Sequence, residues 1–117
     1  MKIEVIDTQK GGIQLVKIDG RLDANFSLQL EDEIDRLLEQ KTKSIILDLS
    51  GVTYLSSSGL RVLLSIYKQT EGIGGLVLLN PGDVVKRIIE VAELDDLLIQ
   101  AKTVEEAMAI LGVKKKS

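Results

Sequence analysis

The sequence predicts a single-domain α/β fold, a mixed, mostly parallel sheet of four to five strands packed with four helices. Two observations carry this. Ile45-Ile46-Leu47 and Leu76-Val77-Leu78-Leu79 are short, continuous apolar runs, the pattern of central strands covered on both faces. Segments with helical periodicity separate the strand candidates, giving the order β-β-α-β-α-β-α-β-α. Strands separated by helices imply parallel pairs joined by right-handed crossovers. At 117 residues the chain has the length of one domain with one core, and it contains no repeat and no linker.

Residues 2–8 alternate, with Ile3 and Val5 on one side and Lys2 and Glu4 on the other, so they predict a strand with one wet face. Gly11-Gly12 predicts a turn, and residues 13–19 its hairpin partner, ended by Gly20. Residues 21–25 read as a loop with Asp23 and Asn25 as cap candidates. A helix follows to about Gln40, its apolar stripe formed by Leu30, Ile34, Leu37 and Leu38. The strand at 45–47 ends in acidic Asp48, followed by a turn at Ser50-Gly51 and a second short apolar stretch. From Ser57 a helix runs to about Thr70, with Leu60, Leu63, Leu64 and Tyr67 as its stripe, widened by Val62 and Ile66. Gly72, Gly74 and Gly75 break it before the strand at 76–79.

Asn80-Pro81-Gly82-Asp83 predicts a turn into a third helix, with proline suited to a first helical turn. Val85, Ile88, Ile89 and Ala92 line its inner face, and residues 97–100 read as a short strand. Thr103 and Glu106 have the spacing of a capping box. The last helix carries Val104, Ala107, Met108 and Leu111 as its stripe and stops at Gly112. The domain therefore spans 1–112, and residues 113–117 form a short basic tail containing Lys114, Lys115 and Lys116, read as a frayed, solvated end.

Composition excludes several classes of function. There is no cysteine and no histidine, so zinc sites built on those residues, disulfides, thiol nucleophiles and a Ser-His-Asp triad cannot be assembled. The net charge of −3 disfavours direct nucleic-acid binding, which needs a basic face. Aromatic residues are only 3%, too few for base-stacking platforms. No apolar run reaches the roughly 18 residues of a membrane span, and the N-terminus is no signal peptide, so a cytoplasmic protein without membrane insertion is expected. Gly72-Ile73-Gly74-Gly75 lacks the lysine and the strand–loop–helix setting of a phosphate loop and reads as a turn. No carboxylate pair is tied by motif to a pocket. No cofactor and no enzymatic activity are therefore expected. An acid-dependent enzyme or a nucleotide-binding protein is the rival from another class, and tight nucleotide binding by the isolated chain would favour it.

The densest information lies in residues 47–64. Ser56, Ser57 and Ser58 stand where a strand end meets a helix start. Backbone N–H groups there lack intrahelical partners, and the helix dipole favours negative charge. Two readings of the cluster stand: helix capping alone, or a hydroxyl on which a phosphate would be tolerated while changing the surface. Arg61 follows Ser57 by four residues, one helical turn, and so could pair with such a phosphate. Asp23 leaves a strand and enters a helix in the same way. It reads either as a cap or as a contact near the serines.

Three segments resemble the STAS domain family, specifically the stand-alone anti-sigma factor antagonists. Gly20-Arg21-Leu22-Asp23 is similar to that family's G-x-L-D loop. Asp48-Leu49-Ser50-Gly51-Val52 through Ser57-Ser58-Gly59-Leu60 resembles its D-L-S-x-V … D-S-S-G segment. Val84-Val85-Lys86-Arg87-Ile88-Ile89 resembles its third-helix segment, followed by a short strand and a helix holding Glu106-Ala107. The resemblance covers nearly the whole chain and implies a STAS-like fold. It implies a protein that binds an anti-sigma factor serine kinase, thereby freeing a sigma factor. The kinase phosphorylates one serine of the antagonist, the complex dissociates, and a serine phosphatase resets it. By motif position the acceptor is Ser57, with Ser58 and Ser56 as alternates. The implied partner-binding residues are Asp23, Ser56, Ser57, Ser58, Gly59 and Arg61. The residue before the acceptor is usually Asp in the family and here is Ser56. That departure leaves open which serine is used, and whether this member binds without being phosphorylated. The alternative function is a non-phosphorylated STAS scaffold or binding module in a larger regulatory or membrane-associated assembly. Whether the chain pairs with itself is not encoded in any of these motifs.

Overall fold

A computed structural model of the chain describes residues 2–116, with side chains described through Gly112. The element order is β1 (Lys2–Lys10), β2 (Ile13–Leu22), α1 (Ala24–Glu39), β3 (Ser44–Leu55), α2 (Ser57–Thr70), β4 (Gly75–Leu79), α3 (Asp83–Val91), β5 (Gln100–Ala101) and α4 (Val104–Lys116). The five strands form one sheet in the order β1-β2-β3-β4-β5. β1 pairs antiparallel with β2, and every other pair is parallel. The order of elements along the chain and the antiparallel edge are those that the sequence predicts, whereas the order of strands across the sheet is not given by it.

The alternation of side chains along each strand divides the core in two. Val16, Ile18, Ile45, Leu47, Leu49, Leu76 and Leu78 belong to one cluster, together with Leu30, Ile34, Leu37, Leu63, Ile66, Val85 and Ile89 from α1, α2 and α3. Ile13, Ile46, Val77 and Leu79 point the other way and meet Ala107 and Leu111 of α4. Three helices thus cover one face of the sheet and α4 covers the other. This is why β3 and β4 are apolar at successive positions: both faces are dry. Each fully buried Leu or Ile contributes about 1.5–3 kcal/mol by transfer from water.

Several boundaries differ from the sequence reading. β2 does not end at Gly20 but continues through Arg21 and Leu22, which pair with Tyr54 and Leu55. Ser50-Gly51 is no turn, because β3 runs unbroken from Ser44 to Leu55. The two strands support each other past their local turn signals through register shifts between Lys17 and Asp19 and between Gly20 and Arg21. Gly20 makes this possible with φ of 115°, a conformation that side-chain-bearing residues avoid.

In α2 the buried residues are Gly59, Val62, Leu63, Ile66 and Thr70, so its inner stripe is rotated toward Val62 and Ile66 and away from half-buried Leu60, Leu64 and Tyr67. The helix packs against α1 on one flank and the sheet on the other, and the buried line falls between them. Pro81 precedes the N-cap Gly82 rather than sitting inside α3, and Ala92 at the end of α3 is exposed rather than inward. The last strand is Gln100–Ala101, shorter and later than the reading over 97–100. Thr103 caps α4 by accepting from Glu106 N–H at 3.1 Å, while the Glu106 carboxylate accepts from Lys102 N–H at 3.3 Å, one residue earlier than in a regular capping box. The α4 backbone continues past Gly112 to Lys116. The side chains of the basic tail lie outside the described residues.

Candidate functional site

Strands β2 to β5 run parallel and each is followed by a helix, so the N-termini of α1, α2, α3 and α4 gather at one end of the sheet. That is the end at which open α/β sheets place their functional groups. The final residues of β2 and β3, Leu22 and Leu55, are register partners. The starts of α1 and α2 are therefore side by side.

Asp23 is the N-cap of α1: its carboxylate accepts from Phe26 N–H at 3.0 Å. Ser56 is the N-cap of α2, with extended backbone at φ −83° and ψ 176°. Its hydroxyl accepts from Gly59 N–H at 3.1 Å and donates to the Leu22 carbonyl at 2.8 Å. Its backbone N–H donates to the same carbonyl at 3.0 Å. Ser56 is thus fully engaged, tying the start of α2 to the end of β2. An ionised aspartate here could accept as a cap but could not donate to Leu22. The serine that departs from the family pattern therefore makes a bond that the usual residue cannot.

The next three residues divide by exposure. Ser57, first residue of α2, is exposed, Ser58 is half-buried, and Gly59 is buried. A Cβ on Gly59 would lie 2.7 Å from the Leu22 carbonyl oxygen, so only glycine lets the helix come this close to β2. Arg61 is exposed one turn further and enters no ion pair among the described residues. A groove of about 410 Å³ separates α1 from α2. Ser27, Leu28 and Glu31 line one side and Ser58, Arg61 and Val62 the other.

Ser56 and Gly59 thus converge on the Leu22 carbonyl, Asp23 caps the neighbouring helix, Ser58 and Arg61 border the groove, and Ser57 is exposed. The sequence reading missed three features. The Leu22 carbonyl organises the site but carries no side-chain signature. Leu28 is 63% exposed; its place off the stripe of Leu30, Ile34 and Leu37 could have revealed it. Ser27, 2% exposed with no hydrogen-bond partner for its hydroxyl, gives no signal in the sequence. Asp48 accepts from Ser50 N–H at 2.9 Å, a structural role, and it stands within β3 rather than at a strand end.

A second hollow of about 810 Å³ lies at the opposite end of the sheet, among Gly12, Lys43, Tyr67, Glu71, Gly74 and neighbouring residues. There the Tyr67 hydroxyl donates to Glu71 at 2.9 Å, and this hydrogen bond raises the phenol above its ordinary pKa. Residues 72–74 form the predicted turn, but Gly75, also expected in it, is already the first residue of β4. Among the described residues no cluster of acidic side chains is arranged to hold a metal ion, and no helix is long and apolar enough to cross a membrane.

Residues 4–107 match the STAS domain family. The chain belongs to that family. Its relatives include the anti-sigma-B factor antagonist of Staphylococcus aureus, 26% identical over 99 residues, which are 84% of this chain and 92% of the relative. An anti-sigma factor antagonist from Mycobacterium paratuberculosis shares the fold with a TM-score of 0.83 at 24% identity, over 94% of this chain and 92% of that one. SpoIIAA, an anti-sigma factor antagonist solved in its unphosphorylated form, gives 0.77 at 23% identity, over 92% and 93%. The phosphorylated form of SpoIIAA from Bacillus gives 0.70 at 21% identity, over 92% and 97%. The STAS fold expected from the three motif segments is the fold observed.

Proposed function

We propose that this STAS domain is an anti-sigma factor antagonist. Unphosphorylated, it binds an anti-sigma factor serine kinase and frees a sigma factor; phosphorylation at Ser57 ends the association, and a serine phosphatase restores it. The names of its relatives support the antagonist role. SpoIIAA, with this fold, is known in unphosphorylated and phosphorylated forms. The observation that carries the choice of acceptor is the division of labour among the three serines. The Ser56 hydroxyl is used twice in holding α2 to β2, and Ser58 is half-buried beside the groove. Ser57 is exposed at the first helical position, where an approaching kinase can reach it.

The switch needs no refolding. A phosphoserine adds about −1.5 to −2 charges at neutral pH, and a helix N-terminus accommodates them. The fold persists while a contact surface gains a dianion that must be desolvated or repelled. A loss of about 3–4 kcal/mol weakens binding roughly a hundredfold to a thousandfold. Asp23, Ser56, Ser58 and Arg61 make up the remaining contact surface near the acceptor, while Gly59, expected from the resemblance to contact the partner, is buried and serves instead to let α2 approach β2. The partners put this action in the cytoplasm, and the acidic chain acts on transcription through protein contacts.

Incubation with the cognate kinase and ATP, followed by mass spectrometry, tests the acceptor. Phosphate is expected on Ser57 and absent from Ser57→Ala. Kinase binding is expected to survive Ser57→Ala and to be lost in Ser57→Asp. Phosphate mapped to Ser58 instead, or equal affinity of the two variants, would overturn the reading.

A further inference from the structure

We propose that Arg61 receives the phosphate of phosphorylated Ser57, folding it over the first turn of α2 toward the α1–α2 groove. The inference deepens the reading of Ser57 as acceptor and rests on it. Ser57 opens α2 and Arg61 stands four positions on, the spacing at which side chains on one helix face meet. Both are exposed. The Arg61 guanidinium has no ion-pair partner among the described residues, although Glu31 lines the same groove from α1. By contrast Arg36 is paired with Glu33, and Arg21 lies over the Tyr54 ring at 4.7 Å.

A second observation points to the groove. Ser27, whose hydroxyl is buried without a hydrogen-bond partner, lines the α1 side of the groove that Arg61 borders from α2. The groove is thus bordered by an uncommitted cation, Arg61, and by Ser58, the residue next to the acceptor. Guanidinium suits this task because its planar fork can donate two parallel hydrogen bonds to phosphate oxygens.

The pairing changes what the partner meets. Free phosphate would stand off the surface as a mobile dianion. Held by Arg61, it also removes that arginine from any contact with the kinase. One modification then alters two positions of the surface, by adding an anion and by withdrawing a cation. Arg61 is a positioning residue in this scheme: it is not needed for phosphoryl transfer but fixes where the product sits.

The test uses the full chain with phosphoserine incorporated at position 57 during translation, so no kinase is required. Titration followed by phosphorus NMR then reads the second ionisation of the phosphate. The other charged groups around this turn are Glu31 in the groove, Asp23 at the neighbouring cap and Arg21 at the end of β2. They are the same in every variant, so the comparison isolates position 61. The ionisation constant is expected to be roughly three- to fivefold larger, that is, the phosphate more acidic, with Arg61 than in Arg61→Ala, and intermediate in Arg61→Lys. The difference is expected to shrink as salt screens the pair. Equal titration of phosphorylated wild type and Arg61→Ala would overturn the pairing. Ser57 would still stand as acceptor if the kinase marks it, so the two readings fail separately.

Discussion

At the scale of single residues, the Leu22 carbonyl is the point on which the site turns. It accepts two bonds from Ser56 and sets the approach limit at Gly59. Ser56→Ala removes the cap to Gly59 N–H and the donor to Leu22. Loss of about 1–2 kcal/mol is expected, read as a lower urea midpoint. Gly59→Ala sets two effects against each other. Alanine favours helix by up to about 1 kcal/mol. Its methyl would press on a backbone oxygen already held by two donors, which cannot swing aside as a side chain would. The steric effect wins, and destabilisation of about 1–3 kcal/mol is expected by the same denaturation measurement. The serine run was legible in the sequence as a helix start, because serine is a common cap. The roles within the run were not, since only the position of β2 distinguishes a serine that bonds to Leu22 from one that faces water.

At the scale of elements, periodicity located all nine segments, but turn chemistry misled at two points. Ser50-Gly51 and Gly20 are strong local breakers, yet β2 and β3 continue through them. A long parallel pairing outweighs a local preference when both strands bury alternate residues against the same helices. The rotation of α2 was hidden for a related reason: a helix sequence shows an apolar arc, while its neighbours choose the centre. The helix on the far face shows how much one element can carry. α4 alone covers Ile46, Val77 and Leu79, and Leu111 is fully buried among them. Leu111→Ala is expected to cost about 2–5 kcal/mol. Deletion of residues 103–117 is expected to leave an aggregating chain, since it uncovers that whole apolar surface. Size-exclusion chromatography reads the outcome.

At the scale of the molecule, the absence of histidine and cysteine removes the side chains that ordinarily titrate near neutral pH. The unphosphorylated domain is therefore expected to keep a nearly constant melting temperature between pH 6 and 8. Phosphorylation at Ser57 introduces a group whose second ionisation lies near about pH 6. A helix N-terminus favours the dianion, so its folded pKa falls below the unfolded value. The resulting stabilisation is present above the unfolded pKa and is lost as pH falls through the folded one. As pH falls from about 6 toward about 5, melting temperatures of the phosphorylated form are thus expected to drop more steeply than those of the unmodified form, the difference reporting the phosphate. Fold and family were readable from motifs and order alone. The groove between α1 and α2 was not, because it is made by two helices whose sequences say nothing of each other.

The double anchoring of Ser56 has an enzymological consequence. If Ser57 is the acceptor, as proposed, its hydroxyl is displayed on a ledge that the Ser56 bonds to Leu22 and Gly59 hold in place, and the stretch around it would have to leave those bonds to extend into a catalytic cleft. A modifying enzyme must dock against a prefolded domain, recognising shape across two helices instead of a string of neighbouring amino acids. A synthetic peptide spanning 50–64 should accordingly be a very poor phosphate acceptor beside the intact protein, and an assay comparing the two would expose any enzyme that reads the linear stretch.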